Sequence, residues 1–133
     1  MGYKLQTYLD EGYDHFISGM AQGIDLIFAE TVIQFKEHYD LNIKLECVLP
    51  CRNQTDKWNN NDIQRYNAIL AKADIITVIS EVYNEKCMME RNIYMVDHSN
   101  TVLGFWNGEK HSGTWNTIRY AQLMNKDIDI VRI

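Results

Sequence analysis

Residues 16–25 read Phe-Ile-Ser-Gly-Met-Ala-Gln-Gly-Ile-Asp. A short apolar run ends in a turn of small residues, and helical spacing begins directly after it. The spacing predicts a strand over 15–18. It predicts a helix over 23–39, with Ile24, Ile27, Phe28, Thr31, Val32 and Phe35 on one face. The same alternation continues outward from this stretch. Helices are expected over 3–11, 61–73, 84–97 and 113–125, and strands over 42–49, 74–79, 101–106 and 127–132. Ile43, Leu45, Cys47 and Leu49 alternate up to Pro50, where that strand is expected to end. The continuous run Ile75-Ile-Thr-Val-Ile79 suits a strand buried on both faces of a parallel sheet. No repeat and no boundary interrupts the pattern. The expectation is one α/β domain over residues 1–133, built on a doubly wound, mainly parallel sheet.

Composition narrows the function classes. Hydrophobic residues make up 46% of the 133, and charged residues 23%. That balance belongs to a globular chain and excludes a disordered tail or a disulfide-packed miniprotein. The net charge of −5 and the scattering of the 13 basic residues argue against nucleic acid, whose phosphates need clustered Lys and Arg. No apolar run approaches the roughly 18–20 residues that span a bilayer. The first ten residues are polar and do not read as a leader. With an odd count of three cysteines, the expectation is a cytoplasmic chain with free thiols, no membrane and no disulfide framework.

In doubly wound folds, ligands gather beyond the carboxyl ends of the strands. Three loops belong there: 18–23, 50–60 and 106–114. In the first, Gly19 and Gly23 let the backbone turn sharply, and the amides opening the next helix can seat an anion. Ser18 and Asp25 are placed to bond a hydroxyl or to cap that helix. In the third, His111-Ser-Gly-Thr-Trp-Asn-Thr117 again leads from a strand into a helix. Ser112 or Thr114 can cap that helix, and Gly113 and Thr114 open a second anion seat. Either turn alone reads equally well as an ordinary cap. Together they are expected to hold one phosphate-bearing molecule.

Arg91 is a candidate counter-charge, weighed against a surface pairing with a nearby acid. Trp58 is a candidate for stacking on a base, weighed against a role in covering the core edge. Arg52, in the same loop, is a candidate to assist a phosphate. Cys47 and Cys51 do not form C-x-x-C, and His15, His38, His98 and His111 lack zinc spacing, so neither a metal nor a resident cofactor is expected. Met88, Met89 and Met95 read as core fillers.

Taken together, the chain resembles the YpsA-like branch of the SLOG superfamily. That superfamily also holds the LOG-type lysine decarboxylase-like proteins and the DNA-processing protein DprA. The resemblance rests on Phe16 to Asp25, on Val48-Leu-Pro-Cys51, on Arg91-Asn-Ile-Tyr-Met-Val-Asp97, and on Ser112-Gly-Thr114 followed by Thr117-Ile-Arg-Tyr-Ala121. It implies a Rossmann-like fold and a pocket for a nucleotide or an NAD- or ADP-ribose-like ligand. It assigns Gly19, Gly23, Gly113 and Thr114 to phosphate contact. Family members usually open with a further strand and loop, so the chain reads as N-terminally short, and a homodimer is a candidate source of compensation. LOG-type enzymes cleave the N-glycosidic bond of nucleoside monophosphates, using an Arg that Arg91 matches and a Glu whose position here holds Thr117. Threonine cannot carry the charge such a cleavage needs. Arg91 with Asp25 or Asp97, or else Glu30, would have to serve instead. The expectation is therefore a binding domain, regulatory or signalling in character. A nucleotide N-glycosidase and an interaction module without a working pocket are the alternatives.

Overall fold

The computed structural model describes residues 1–133. They form two compact units, Met1–Tyr83 and Asn84–Ile133. The first holds α1 (Gly2–Asp10), β1 (His15–Ser18), α2 (Ile24–Tyr39), β2 (Lys44–Cys51), α3 (Asn60–Lys72) and β3 (Ile75–Ser80). The second holds α4 (Cys87–Asp97), β4 (Thr101–Trp106), α5 (Gly113–Leu123) and β5 (Asp127–Arg132). Every strand pair is parallel, as an alternating β-α chain requires, so the protein is α/β with a Rossmann-like build.

In the first unit the strand order is β1-β2-β3. Ser18 stands opposite Cys47, and Leu49 opposite Val78. β2 is thus paired on both sides, and Leu45 to Cys51 are all buried. The strand runs past Pro50 to Cys51, two residues beyond the expected end. β1 stops at Ser18 opposite Cys47, so a residue without an N–H is tolerated beyond it. Leu26, Ala29 and Val32 of α2 are buried, as are Tyr66 and Ile69 of α3. These are the inward faces that helical spacing marks.

β2 also carries a carboxylate into the interior. Glu46 accepts from Thr77 Oγ1 of β3 at 2.8 Å and meets His15 Nε2 of β1 at 2.9 Å. One buried side chain therefore ties all three strands. One residue back along β2, Asp74 accepts from the Leu45 amide at 2.9 Å and pairs with Lys36 Nζ at 2.6 Å. The Lys36 bond and then the Leu45 amide hold its carboxyl below the ordinary value.

β3 departs from expectation. It lies at the edge of its sheet with one neighbour, and Ile76 is 47% exposed. An unbroken apolar run records composition but not strand order, so two-sided burial was over-read from it. In the second unit, β4 and β5 form a two-stranded sheet in register from Thr101↔Asp127 to Trp106↔Arg132. Ile118 and Ala121 of α5 and Val96 of α4 are buried. α4 begins at Cys87, three residues later than its spacing indicates, and Met88 is exposed rather than filling the core. No helix is long and apolar enough to cross a membrane.

Two outcomes are expected. Leu26→Ala, at a side chain with no exposure, costs about 2–5 kcal/mol in urea unfolding. Because the Asp74 carboxyl is lowered in the fold, its contribution is complete above the ordinary value near 3.8 and is lost as pH falls through the lower folded value. Acid titration of Asp74→Asn should therefore show a shallower loss of stability below about pH 4 than the parent.

Candidate functional site

The turn after β1 is built by its own side chains. The Ser18 hydroxyl donates to the Asp25 carbonyl at 2.9 Å and accepts from the Met20 amide at 3.2 Å. Asp25 Oδ2 accepts from the Ala21 amide at 3.1 Å. These three bonds fold residues 18–25 back on themselves. Met20 is buried in a left-handed conformation (φ +60°), which a non-glycine residue adopts only under constraint. Gln54 Nε2, from the loop after β2, donates to the Met20 carbonyl at 3.1 Å and holds it there. Ser18 is buried and engaged within the turn, while Asp25 is half-buried.

Gly23 then opens α2 at φ +87°, a backbone that side chains rarely take. No side chain caps α2 at this point. The contrast with two other helices is direct: Asn59 caps α3 by accepting from the Asp62 amide, and Ser112 caps α5 by accepting from the Trp115 amide. A 16-residue helix whose start lacks a side-chain acceptor has backbone donors and a positive dipole end to offer an anion.

Below this turn, Trp58 is half-buried and meets Tyr66 edge-on, with centroids 5.4 Å apart at 83°. It packs the loop against α3. The Tyr66 hydroxyl and Gln54 Oε1 are both buried and make no hydrogen bond of ordinary geometry. Burial raises the Tyr66 hydroxyl above its usual range, with Gln54 beside it pulling the other way. Burial, and then the charge of Glu46, pushes the Cys47 thiol up to about 12. Arg52 is exposed and pairs with Glu81 at 2.7 Å.

In the second unit, Gly113 and Thr114 are exposed at the start of α5, and a Cβ on Gly113 would meet nothing within 4 Å. Ser112 is the cap, which leaves Thr114 uncommitted to that role. Thr117 Oγ1 donates to the Gly113 carbonyl at 2.9 Å, one turn back along its own helix. Asp97 accepts from the Tyr120 hydroxyl at 2.7 Å. Arg91 is only 5% exposed, and its Nε donates to Asn92 Oδ1 at 2.8 Å. A guanidinium so enclosed is part of the packing of α4, unlike the surface arginine weighed from sequence.

The loop before α5 holds a feature that the sequence reading passed over. Trp106 and Trp115 stack with centroids 4.7 Å apart at 14°, and the Arg132 guanidinium lies 5.3 Å from the Trp106 ring centre. The available signal was Trp106 and Arg132 at the ends of two strands expected to pair. No group of three or more His, Cys, Asp or Glu side chains is placed to hold a metal ion.

Alternating helices and parallel strands, with a glycine turn after β1, are consistent with a Rossmann-like fold. The model of the YpsA family, described as the YspA SLOG family, matches residues 1–132. The chain belongs to this family. It is similar to a UPF0398 protein of Macrococcus caseolyticus (strain JCSC5402), 28% identical over 98% of this chain and 73% of that protein. A UPF0398 protein of Staphylococcus aureus (strain JH9) is 27% identical over 83% of this chain, which spans 59% of the relative's length.

The two glycines at helix starts should respond oppositely to alanine. Gly23→Ala is forced into a left-handed backbone and should cost about 1–2 kcal/mol. Gly113→Ala enters open space at a first helical position and should stay within about 0.5 kcal/mol of the parent. Urea unfolding of both variants checks the pair.

Proposed function

We propose that this SLOG-family chain binds a nucleotide or an NAD- or ADP-ribose-like molecule, in a regulatory or signalling capacity, without cleaving it. The observation that carries the reading is the self-bonded Ser18–Asp25 turn delivering an uncapped helix start at Gly23. A phosphate is the anion that such amides suit. Gly19 and Gly23 are the proposed phosphate contacts of the first unit, and Gly113 and Thr114 are a separate anion seat proposed for the second unit by itself. Ser18 and Asp25 shape the first turn. Arg91 is buried in α4 of the second unit and is a proposed counter-charge for that unit's anion seat alone.

Binding is preferred to hydrolysis on chemical grounds. Cleaving an N-glycosidic bond needs a carboxylate beside the ribose. Thr117 has its hydroxyl turned onto the helix backbone, Asp97 accepts from Tyr120, and Asp25 accepts from Ala21. Glu30 is held by Arg65 through two bonds, of 3.0 and 2.6 Å. The acids named for catalysis thus have structural partners.

A second reading, an interaction module, is favoured by one observation. β3 is an uncharged edge strand with Ile76 47% exposed, the kind of edge that invites pairing with another chain. A homodimer is the form proposed under that reading.

A thermal-shift screen with AMP, other mononucleotides, NAD, ADP-ribose and its cyclic forms tests the first reading. A ligand near 100 times its dissociation constant adds about 2.7 kcal/mol, a shift of several degrees. That shift should persist in Gly113→Asp, a variant with room for its side chain and a favourable charge for its helix, and its loss there would assign the ligand to the start of α5 instead. Chromatography of the same mixtures should show no free base and no nicotinamide. Released base would establish the hydrolase instead. No shift with any ligand, together with a light-scattering mass that halves in Ile76→Lys, would establish the interaction module.

A further inference from the structure

We propose that a cleft beside the C-terminal half of α2 binds a small aliphatic ammonium compound. The cleft has a volume of about 330 Å³, in the range of small-molecule sites, and is lined by residues of the first unit alone. It sits where α2 and α3 end and where β2 and β3 begin. Lys36, on its wall, stands roughly 20 Å along the helix from Gly23 at the ordinary helical rise. The cleft shares no residue with the turn at 18–25, so the proposal is independent of the nucleotide reading.

The lining joins apolar walls to an unmatched charge. Val32 and Leu45 are buried beneath the cleft, and Ile33 and Leu41 are half-buried beside it. Two ion pairs brace it. Lys36 Nζ meets Asp74 Oδ1 at 2.6 Å, which ties α2 to the residue before β3. Lys72 Nζ meets the two Glu37 oxygens at 2.9 and 3.1 Å, which ties α3 to α2. Each lysine is thus matched by its own carboxylate. Asp40 is the charge left over, and no hydrogen bond or ion pair engages its side chain. It follows the last turn of α2, where the helix dipole is also negative. An organic anion would have to displace Glu37 or Asp74 from its lysine, whereas a cation displaces nothing. An alkyl chain along Ile33 and Leu41 leaves water while its ammonium meets Asp40. A neutral alcohol of the same length gains the walls only.

The test titrates the full chain with n-hexylammonium chloride, 1-hexanol and sodium hexanoate, followed by proton–nitrogen correlation spectra. Hexylammonium should shift the amides of Ile33, Asp40, Leu41 and Leu45 saturably. Hexanol should do so only at higher concentration, and hexanoate not at all. Asp40→Asn should weaken hexylammonium about twofold to fivefold, the range of a solvent-exposed ion pair, and leave hexanol unchanged. Asparagine suits the left-handed backbone at this position (φ +52°), so the variant keeps the fold. Four results each overturn the site: no saturable shift at these amides, shifts spread over the whole chain, hexanoate binding as tightly as hexylammonium, or equal hexylammonium affinity in Asp40→Asn. None of them bears on nucleotide binding.

Discussion

The first unit depends on the double pairing of β2. Where both of its edges are hydrogen-bonded, at Glu46 and Cys47, the strand has no backbone left for water, and its side chains there must be covered above and below. That condition fixes the helices on the strand's faces. It also explains how Glu46 survives in the interior: its two oxygens meet partners that only the neighbouring strands can supply, one from β1 and one from β3. Removing either strand would leave a carboxylate buried without its partner.

The turn at residues 18–25 inherits its position from this arrangement. β1 ends where β2 still has four residues to run, so the chain turns against a wall of buried β2 side chains. Ser18 faces that interior and spends its hydroxyl on the turn. Asp25 does the same from the far side. The polar residues that look reactive in sequence are the ones shaping the loop, and what they present outward is backbone. Under the proposed reading, such a turn would meet an anion through geometry and dipole, with little dependence on side-chain charge. That accords with a chain of net charge −5.

Most of the fold was legible because helical and alternating periods are clean here. Each strand and helix falls within three residues of where its spacing puts it. A hydroxyl cap on α5 was legible as Ser112 or Thr114, and the structure gives the role to Ser112. What escaped were relations between distant residues. β3 was read as buried because its composition says nothing of its neighbours. The stacking of Trp106 on Trp115 beneath Arg132 depends on the register of β4 against β5, and no local window spans that. Arg91 left two uses open in sequence, a phosphate counter-charge and a surface pairing, and the fold encloses it. Trp58 left two uses open, and only its angle to Tyr66 shows how its ring is employed.

The three cysteines are each at 1% exposure or less, with Cys47 and Cys51 in the first unit and Cys87 in the second. A thiol-modifying reagent meets none of them while the chain is closed, and Cys47 is further protected by its reluctance to ionise. Alkylation is therefore gated by opening, and peptide mapping assigns each event to one unit or the other. The chain carries its own reporters of local unfolding, with two stations in one half and one in the other, and needs no introduced probe.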